Sequence, residues 1–281
     1  MNFSMQDTFN LGWKLAAVLR GQARPELLHT YSEERQVVAQ ELIDFDREWA
    51  RMFSDRPRHE EEGGAAAGVD PKAFQAYFEQ HGRFTAGVGT HYRPSLICGE
   101  STHQNLATGF VIGTRLHSAP VLRVSDARPV HLGHAGKADG RWRLYAFAGA
   151  NDLQDRQAGI HALCEFLSQS HDSPVRRHTR PGQDVDAVFD VLAIFQQRYT
   201  EVAIDRLPGL LLPPKGRFGL RDYEKVFCPD FKHGPDVFDL RGIDRAQGAL
   251  VVVRPDQYVA HVLPLAAHAE LAAFFRRFML D

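Results

Sequence analysis

Trp142-Arg143-Leu144-Tyr145-Ala146-Phe147-Ala148 is an apolar and aromatic run interrupted by one arginine, and Gly149-Ala150-Asn151-Asp152 closes it with turn-forming residues. Such a run predicts a buried strand. Downstream, residues 158–168 place Ile160, Leu163, Cys164 and Leu167 on one helical face, and 188–195 is a second apolar stretch rich in β-branched and aromatic residues. Strand, helix and strand in this order predict parallel pairing, with the helix crossing one face of the sheet in the right-handed sense.

Working outward, 222–227 reads as helical or irregular, 249–254 and 258–263 as strands joined at Pro255-Asp256, and 267–280 as a final helix. Upstream, 121–124 and 129–132 are short strands. The resulting β-α-β followed by α-β-β-α is the element order of a thioredoxin-like α/β fold.

The first fifty residues have a different pattern. Met5, Phe9, Leu11, Leu15, Ala16, Val18 and Leu19 follow helical spacing over 2–19, and Gly21 ends the run. A longer helix is expected over 25–53, with Pro25 in its first turn and Leu28, Tyr31, Val38, Leu42, Phe45 and Trp49 along one side. These two make a helical hairpin. Residues 55–70 are polar and Gly/Ala-rich without periodicity, which predicts a loop or linker. Asp70-Pro71 should cap a short helix carrying Phe74, Tyr77 and Phe78. The expected organisation is therefore 1–54 hairpin, 55–106 linker and irregular connector, and 107–281 thioredoxin-like domain.

Four segments carry a resemblance. Met1-Asn2-Phe3-Ser4-Met5-Gln6-Asp7-Thr8-Phe9-Asn10-Leu11, Thr30-Tyr31-Ser32-Glu33-Glu34-Arg35-Gln36 with Leu42-Ile43-Asp44-Phe45-Asp46, Phe84-Thr85-Ala86-Gly87-Val88-Gly89, and Val251-Val252-Val253-Arg254-Pro255-Asp256-Gln257-Tyr258-Val259-Ala260 occur in this order. Together they resemble the FAD-dependent aromatic hydroxylases of the phenol hydroxylase / 3-hydroxybenzoate 4-monooxygenase family, across nearly the whole chain. The first helix begins without a preceding strand, turn or cap. Because the family's Gly-x-Gly-x-x-Gly turn and ribityl-binding Gly-Asp are not found here, the chain is expected to correspond to the C-terminal half of such an enzyme.

The resemblance implies an α/β protein: a helical remnant of the flavin domain followed by a thioredoxin-like dimerisation domain. It implies FAD as cofactor, NAD(P)H as donor, a small phenolic acid such as 3-hydroxybenzoate as substrate, and a homodimer. Met1 and Asn2 are the implied cofactor contacts, their backbone amides facing the pyrimidine edge of the flavin. A helix N-terminus with free N–H groups favours the negative charge that reduced flavin carries there. Catalytic residues are expected upstream of Met1, so the chain by itself should be inactive. Ser4 and Gln6 lie in the same turn, where helix capping is the simpler role; Asp7 suits the helix dipole.

Composition agrees with a soluble globular protein. It is 44% hydrophobic and 24% charged, and 33 Lys and Arg against 35 Asp and Glu give no electrostatic case for nucleic acid or anionic membrane. No apolar stretch approaches the ~20 residues needed to span a bilayer, and no signal-like start is present, so the default expectation is cytoplasmic. Cys98, Cys164 and Cys228 form no Cys-x-x-Cys. That counts against a thiol oxidoreductase, and leaves a free-standing dimerisation module as the main alternative. His131 and His134, three apart on a strand, should point to opposite faces and not share a metal without a bend at Gly133. Arg254-Pro255-Asp256 reads as a turn with a local ion pair.

Overall fold

The computed structural model describes residues 2–54, 75–77, 79, 81–232 and 234–280. The expected loop at 55–70, the Asp70-Pro71 cap, Phe74 and Phe78 lie outside the described residues.

Helix α1 runs Asn2–Leu19 and stops where the sequence expected, at Gly21, whose φ of 65° fits the left-handed close of the helix. The chain then makes a 3-10 turn, Pro25–Leu28, before α2, His29–Ser54. One continuous helix from Pro25 was expected. Instead Thr30 Oγ1 donates to the Leu27 carbonyl, 2.6 Å away, closing a tighter first turn.

The central sheet has seven strands: β1 (Pro120–Arg123), β2 (Arg128–His131), β3 (Trp142–Phe147), β4 (Phe189–Ile194), β7 (Val226–Cys228), β8 (Ala249–Val253) and β9 (Val259–Leu263). A separate ribbon joins β5 (Pro214–Lys215) to β6 (Leu220–Arg221). The sheet order is β2-β1-β7-β4-β3-β8-β9. Its inner part, β9-β8-β3-β4, has β3 parallel to β4, while β8 is antiparallel to both β3 and β9. This is the thioredoxin-like arrangement that the element order predicts.

The sheet is wider than four strands because β7 adds parallel to β4 and β1 adds antiparallel to β7. The expected helical or irregular reading of 222–227 is corrected here. Val226 pairs with Ala193 and Cys228 with Leu122, so the strand is fixed by its neighbours. Three residues are too few to display a period.

Both faces of the inner strands are buried, which explains why β3, β4 and β8 read as continuous apolar runs. On one face Leu144, Ala146, Val191, Ala193, Leu250 and Val252 meet α3 (Gly159–Gln169) and α4 (His268–Arg276). On the other, Tyr145, Phe147, Leu192, Ile194 and Val251 meet Leu106, Phe110, Phe238 and Ile243 from irregular segments. The helical hairpin joins the first core. Trp13 stacks edge-on to Trp142, 5.6 Å between centroids, and Leu27 is completely buried. The backbone completes the join: Ala23 bridges Met279, Arg24 N–H donates to Phe278 and Leu280 N–H to Gln22.

Helix α1 buries only one side. Met5, Phe9, Leu15 and Leu19 remain 63, 37, 39 and 84% exposed.

Trp13→Ala should therefore lower global stability by about 3–5 kcal/mol, the usual cost of removing a buried aromatic side chain. Denaturant unfolding followed in the far ultraviolet would measure it; an unchanged midpoint would mean the hairpin is not part of the cooperative core.

Candidate functional site

Helix α1 carries a buried polar cluster two turns beyond its first turn. Met1 lies outside the described residues, and so does the side chain of Asn2, which opens the helix. The first turn contains no acidic residue, so nothing in it neutralises the positive end of the helix dipole. Asp7 does not serve that purpose. Its carboxylate is engaged by Arg35 Nε at 2.5 Å, and Arg35 also donates to Tyr92 Oη at 3.2 Å.

The other residues near the start hold the helix in place. Gln6 Nε2 donates to the Gly87 carbonyl at 2.8 Å rather than capping the helix. Gly87 has a φ of 73°, a left-handed conformation that favours glycine, and a Cβ there would displace the Gln6 amide from its hydrogen bond. Phe3 packs against Phe84, 5.1 Å between centroids, and against the cluster of Val38, Tyr92, Cys98 and Tyr258. Ser4 contributes its carbonyl, which accepts from Thr8 Oγ1.

Beneath this end lies the cluster that sequence reading missed. Lys14 Nζ donates to Glu34 Oε2 at 2.9 Å and to Asn10 Oδ1 at 2.7 Å, and Asn10 Nδ2 donates to Glu34 Oε2 at 2.7 Å. Arg254 reaches the same carboxylate from the far end of β8 with Nη1 and, at 2.9 Å, Nη2; its Nε and Nη2 also donate to Asp256, at 2.9 and 2.6 Å. The expected local Arg254–Asp256 pair exists, but both partners are buried, at 1% exposure each, and the pair extends to Glu34. Arg254 is 1% exposed, with the rings of Tyr92, Tyr258 and Trp13 5.1, 5.6 and 5.8 Å from its guanidinium carbon. Asn10 and Lys14 sit four apart on the buried side of α1, flanking Trp13. Two polar residues at helical spacing on an otherwise apolar face were the available signal.

The four charges balance, two cations against two carboxylates, as burial demands. Burial alone would raise the Glu34 carboxyl; Arg254, then Lys14 and Asn10, overcome it and hold it at about 2. Lys14 moves to about 8, since burial and the nearby Arg254 outweigh its attraction to Glu34. The two partners thus differ in sense: the carboxylate is shared by two cations and gains from being charged, whereas the ammonium does not. Arg254 stays charged, well above its ordinary range, because Asp256 and Glu34 outweigh complete burial.

Thiol chemistry has no footing in this arrangement. All three cysteines are buried, and burial pushes Cys98 up to about 11 and Cys164 and Cys228 up to about 12. Where a thioredoxin-like fold would carry its dithiol, between β3 and α3, Asp152 accepts from Gly149 N–H at 3.0 Å and Ile160 N–H at 3.2 Å. Its carboxylate fills the space beside Gly159, φ 52°, where any Cβ would collide with it. His131 and His134 do approach, 5.6 Å between rings, because β2 ends at His131 and a helical turn follows. The turn includes Gly133, the position at which a bend would lift the opposite-face expectation. Among the described residues no group of three or more His, Cys, Asp or Glu could hold a metal ion, and no helix is long and apolar enough to cross a membrane.

Comparison with known proteins matches residues 90–281 to the family described as "Phenol hydroxylase, C-terminal dimerisation domain" and residues 1–46 to "FAD binding domain". The chain is 70% identical over 280 residues to 3-hydroxybenzoate 4-monooxygenase of Comamonas testosteroni, covering 99% of this chain and 43% of that protein. It is 37% identical to the FAD-dependent monooxygenase terD of Aspergillus terreus, covering 99% of this chain and 46% of the relative. The chain thus spans less than half the length of these relatives. Among solved structures, the flavin-dependent monooxygenase PieE in complex with FAD and substrate aligns over 98% of this chain and 43% of its own, with TM-score 0.52 and 18% identity. The ternary complex of aklavinone-11 hydroxylase with FAD and aklavinone aligns over 98% and 39%, with TM-score 0.51 and 20% identity. These two show a shared fold.

Two outcomes are expected for the buried cluster. Arg254→Met should cost about 3–5 kcal/mol in denaturant unfolding, because it strands two buried carboxylates, and Arg254→Met combined with Glu34→Gln should recover part of the loss. Glu34 titrates near 4.5 when unfolded and about 2 when folded, so its contribution is complete above pH 4.5 and disappears as pH falls to 2. Lys14 gives a slope of the same sign in a higher window: its folded value near 8 lies below the unfolded 10.5, so stability is lowered while the ammonium is charged and rises between pH 8 and 10.5. Unfolding midpoints across pH should show both slopes, and Glu34→Gln should flatten the acid one.

Proposed function

Because the chain belongs to the phenol hydroxylase C-terminal dimerisation family, we propose that it is the C-terminal part of an FAD-dependent, NAD(P)H-using aromatic ring monooxygenase that hydroxylates a small phenolic acid such as 3-hydroxybenzoate. The 70% identity over 280 residues to the Comamonas 3-hydroxybenzoate 4-monooxygenase carries this reading. The match of residues 1–46 to an FAD-binding domain supports a flavin contact at α1.

The residues present fit such a group. An 18-residue helix offers first-turn N–H donors with no acid among them, which suits the carbonyl oxygens and reduced-state negative charge of a flavin pyrimidine edge. In this reading the amides of Met1 and Asn2 are the donors. When bound, FAD takes reducing equivalents from NAD(P)H and activates dioxygen for transfer to the ring. The chain's own contribution is to hold α1 still. Phe3, Gln6 and Asp7 fix its first two turns, and the Asn10-Lys14-Glu34-Arg254-Asp256 cluster fixes it to the sheet. Preorganised donors cost no reordering when charge develops.

The organisation follows: 1–54 as the part of the flavin domain contributed by this chain, 55–106 as connector, and 107–281 as the thioredoxin-like domain that pairs two subunits in a cytoplasmic homodimer. The exposed Met5, Phe9, Leu15 and Leu19 side of α1 would pack on the remainder of the flavin domain.

A chimaera joining the upstream part of the Comamonas enzyme to this chain tests the proposal. It should bind FAD and oxidise NADPH in a 3-hydroxybenzoate-dependent manner with matching product. Asn2→Pro, which removes one amide while remaining tolerated in a first helical turn, should make the flavin midpoint potential more negative by disfavouring the reduced anion. A chimaera that folds yet binds no FAD would overturn the reading.

A further inference from the structure

We propose that Arg115, His117 and Arg241, with Arg83 beside them, form a binding site for a doubly charged oxyanion, either free phosphate or the phosphate group of a nucleotide. The site goes beyond the preceding reading and does not depend on it.

Contacts from several segments fix the cluster. Arg115 forms an isolated bridge with Tyr258, and its Nη2 donates to Gln257 Oε1 at 3.3 Å. His117 follows two residues later. Arg241 stands at the end of the short helix Val237–Leu240, where its Nη2 donates to the Ser118 carbonyl and its guanidinium carbon lies 5.8 Å from the Phe110 ring. Its backbone is held too, since the Gly109 N–H donates to its carbonyl at 2.9 Å. Donors set in place beforehand lower the ordering cost of binding.

No carboxylate balances these cations. Arg35, Arg141, Arg143 and Arg254 are also withdrawn from water, and each pairs with Asp or Glu. Arg115, His117 and Arg241 are half-buried, yet among the described residues neither they nor Arg83 has such a partner. Arg115 and Arg241 each use one donor on an uncharged oxygen, and Arg241 Nε is shielded from water without an acceptor. Burial lowers Arg241 with no acid to oppose it; burial, then Arg241, Arg83 and Arg115, lower His117. Half-buried cations gathered without a counter-charge are unfavourable, and an arriving anion relieves that cost.

The donors indicate the ligand. Three permanent guanidinium charges favour a dianion over a monocarboxylate, and guanidinium forks fit phosphate oxygens bidentately. A neutral His117 ring adds one N–H. Because the whole chain has a net charge of -2, the positive field is local to this patch and not a general attraction for polyanions.

The test is calorimetric titration of the intact chain at low salt and neutral pH with inorganic phosphate, AMP and, as a control, adenosine. Phosphate should bind and raise the thermal midpoint, added chloride should weaken the binding, and adenosine should give no response. Arg83→Gln with Arg115→Gln, both outside the hydrophobic clusters, should weaken phosphate binding at least ~10-fold, as expected for lost charge-assisted hydrogen bonds, and leave the unliganded melt unchanged. Arg217→Gln with Arg221→Gln, which removes equal charge from the β5–β6 ribbon, should bind as the wild type does. AMP binding tighter than phosphate would assign the site to a nucleotide, and equal or weaker binding would assign it to free phosphate. A wild type that responds to neither at millimolar concentration, an Arg83 and Arg115 double variant that binds as tightly, or equal weakening by the two double variants would overturn the site.

Discussion

Arg254 is the constraint on which the rest of the structure depends. A guanidinium buried to 1% exposure is tolerable only if its charge and its donors are matched, and Glu34 and Asp256 supply both. Asp256 comes from the same turn, but Glu34 comes from α2, over two hundred residues away. The pair therefore fixes where the helical hairpin sits on the sheet, and Lys14 and Asn10 extend the fixation to α1. An apolar contact such as Trp13 on Trp142 supplies cohesion without much directionality; the bidentate ion pair supplies direction.

That coupling gives the two matched families a mechanical relation. The segment matching the FAD-binding domain is held to the dimerisation domain by a buried, charge-balanced cluster of two cations and two carboxylates, rather than by a surface that could slide. Glu34 and Tyr92, which belong to or border this cluster, also line a cavity of about 570 Å³ between α2 and residues 91–95. Such short-range, geometry-specific contacts set the position of α1 on the sheet more sharply than apolar packing does.

The thioredoxin-like sheet shows how little a fold says about chemistry. The junction of β3 and α3, which in a thiol enzyme would hold reactive sulfur, is occupied by the Asp152 carboxylate binding two backbone amides. The cysteines are packing residues, and the β5–β6 ribbon is inserted in the chain between β4 and β7. Reactive chemistry has been replaced by structure.

The sequence by itself determined the elements whose signal is local. Helix α1 and its end at Gly21, β3, α3, β4, the β8–β9 pair and α4 are each long enough to display a period or a sustained apolar run, and their order specifies the thioredoxin-like core. The family resemblance was legible for a similar reason, since short motifs such as Met1-Asn2-Phe3-Ser4-Met5-Gln6-Asp7 keep their neighbours in sequence. Only the tertiary structure decided the rest. Strand β7 exists because β4 and β1 flank it, Asp7 is claimed by Arg35, and His131 meets His134 because a helical turn follows β2. Above all, Arg254 reads as a turn residue until Glu34 and Lys14 are brought to it. Whether a charge lies in water or in a dry interior depends on contacts between residues distant in the chain, and no local pattern encodes that.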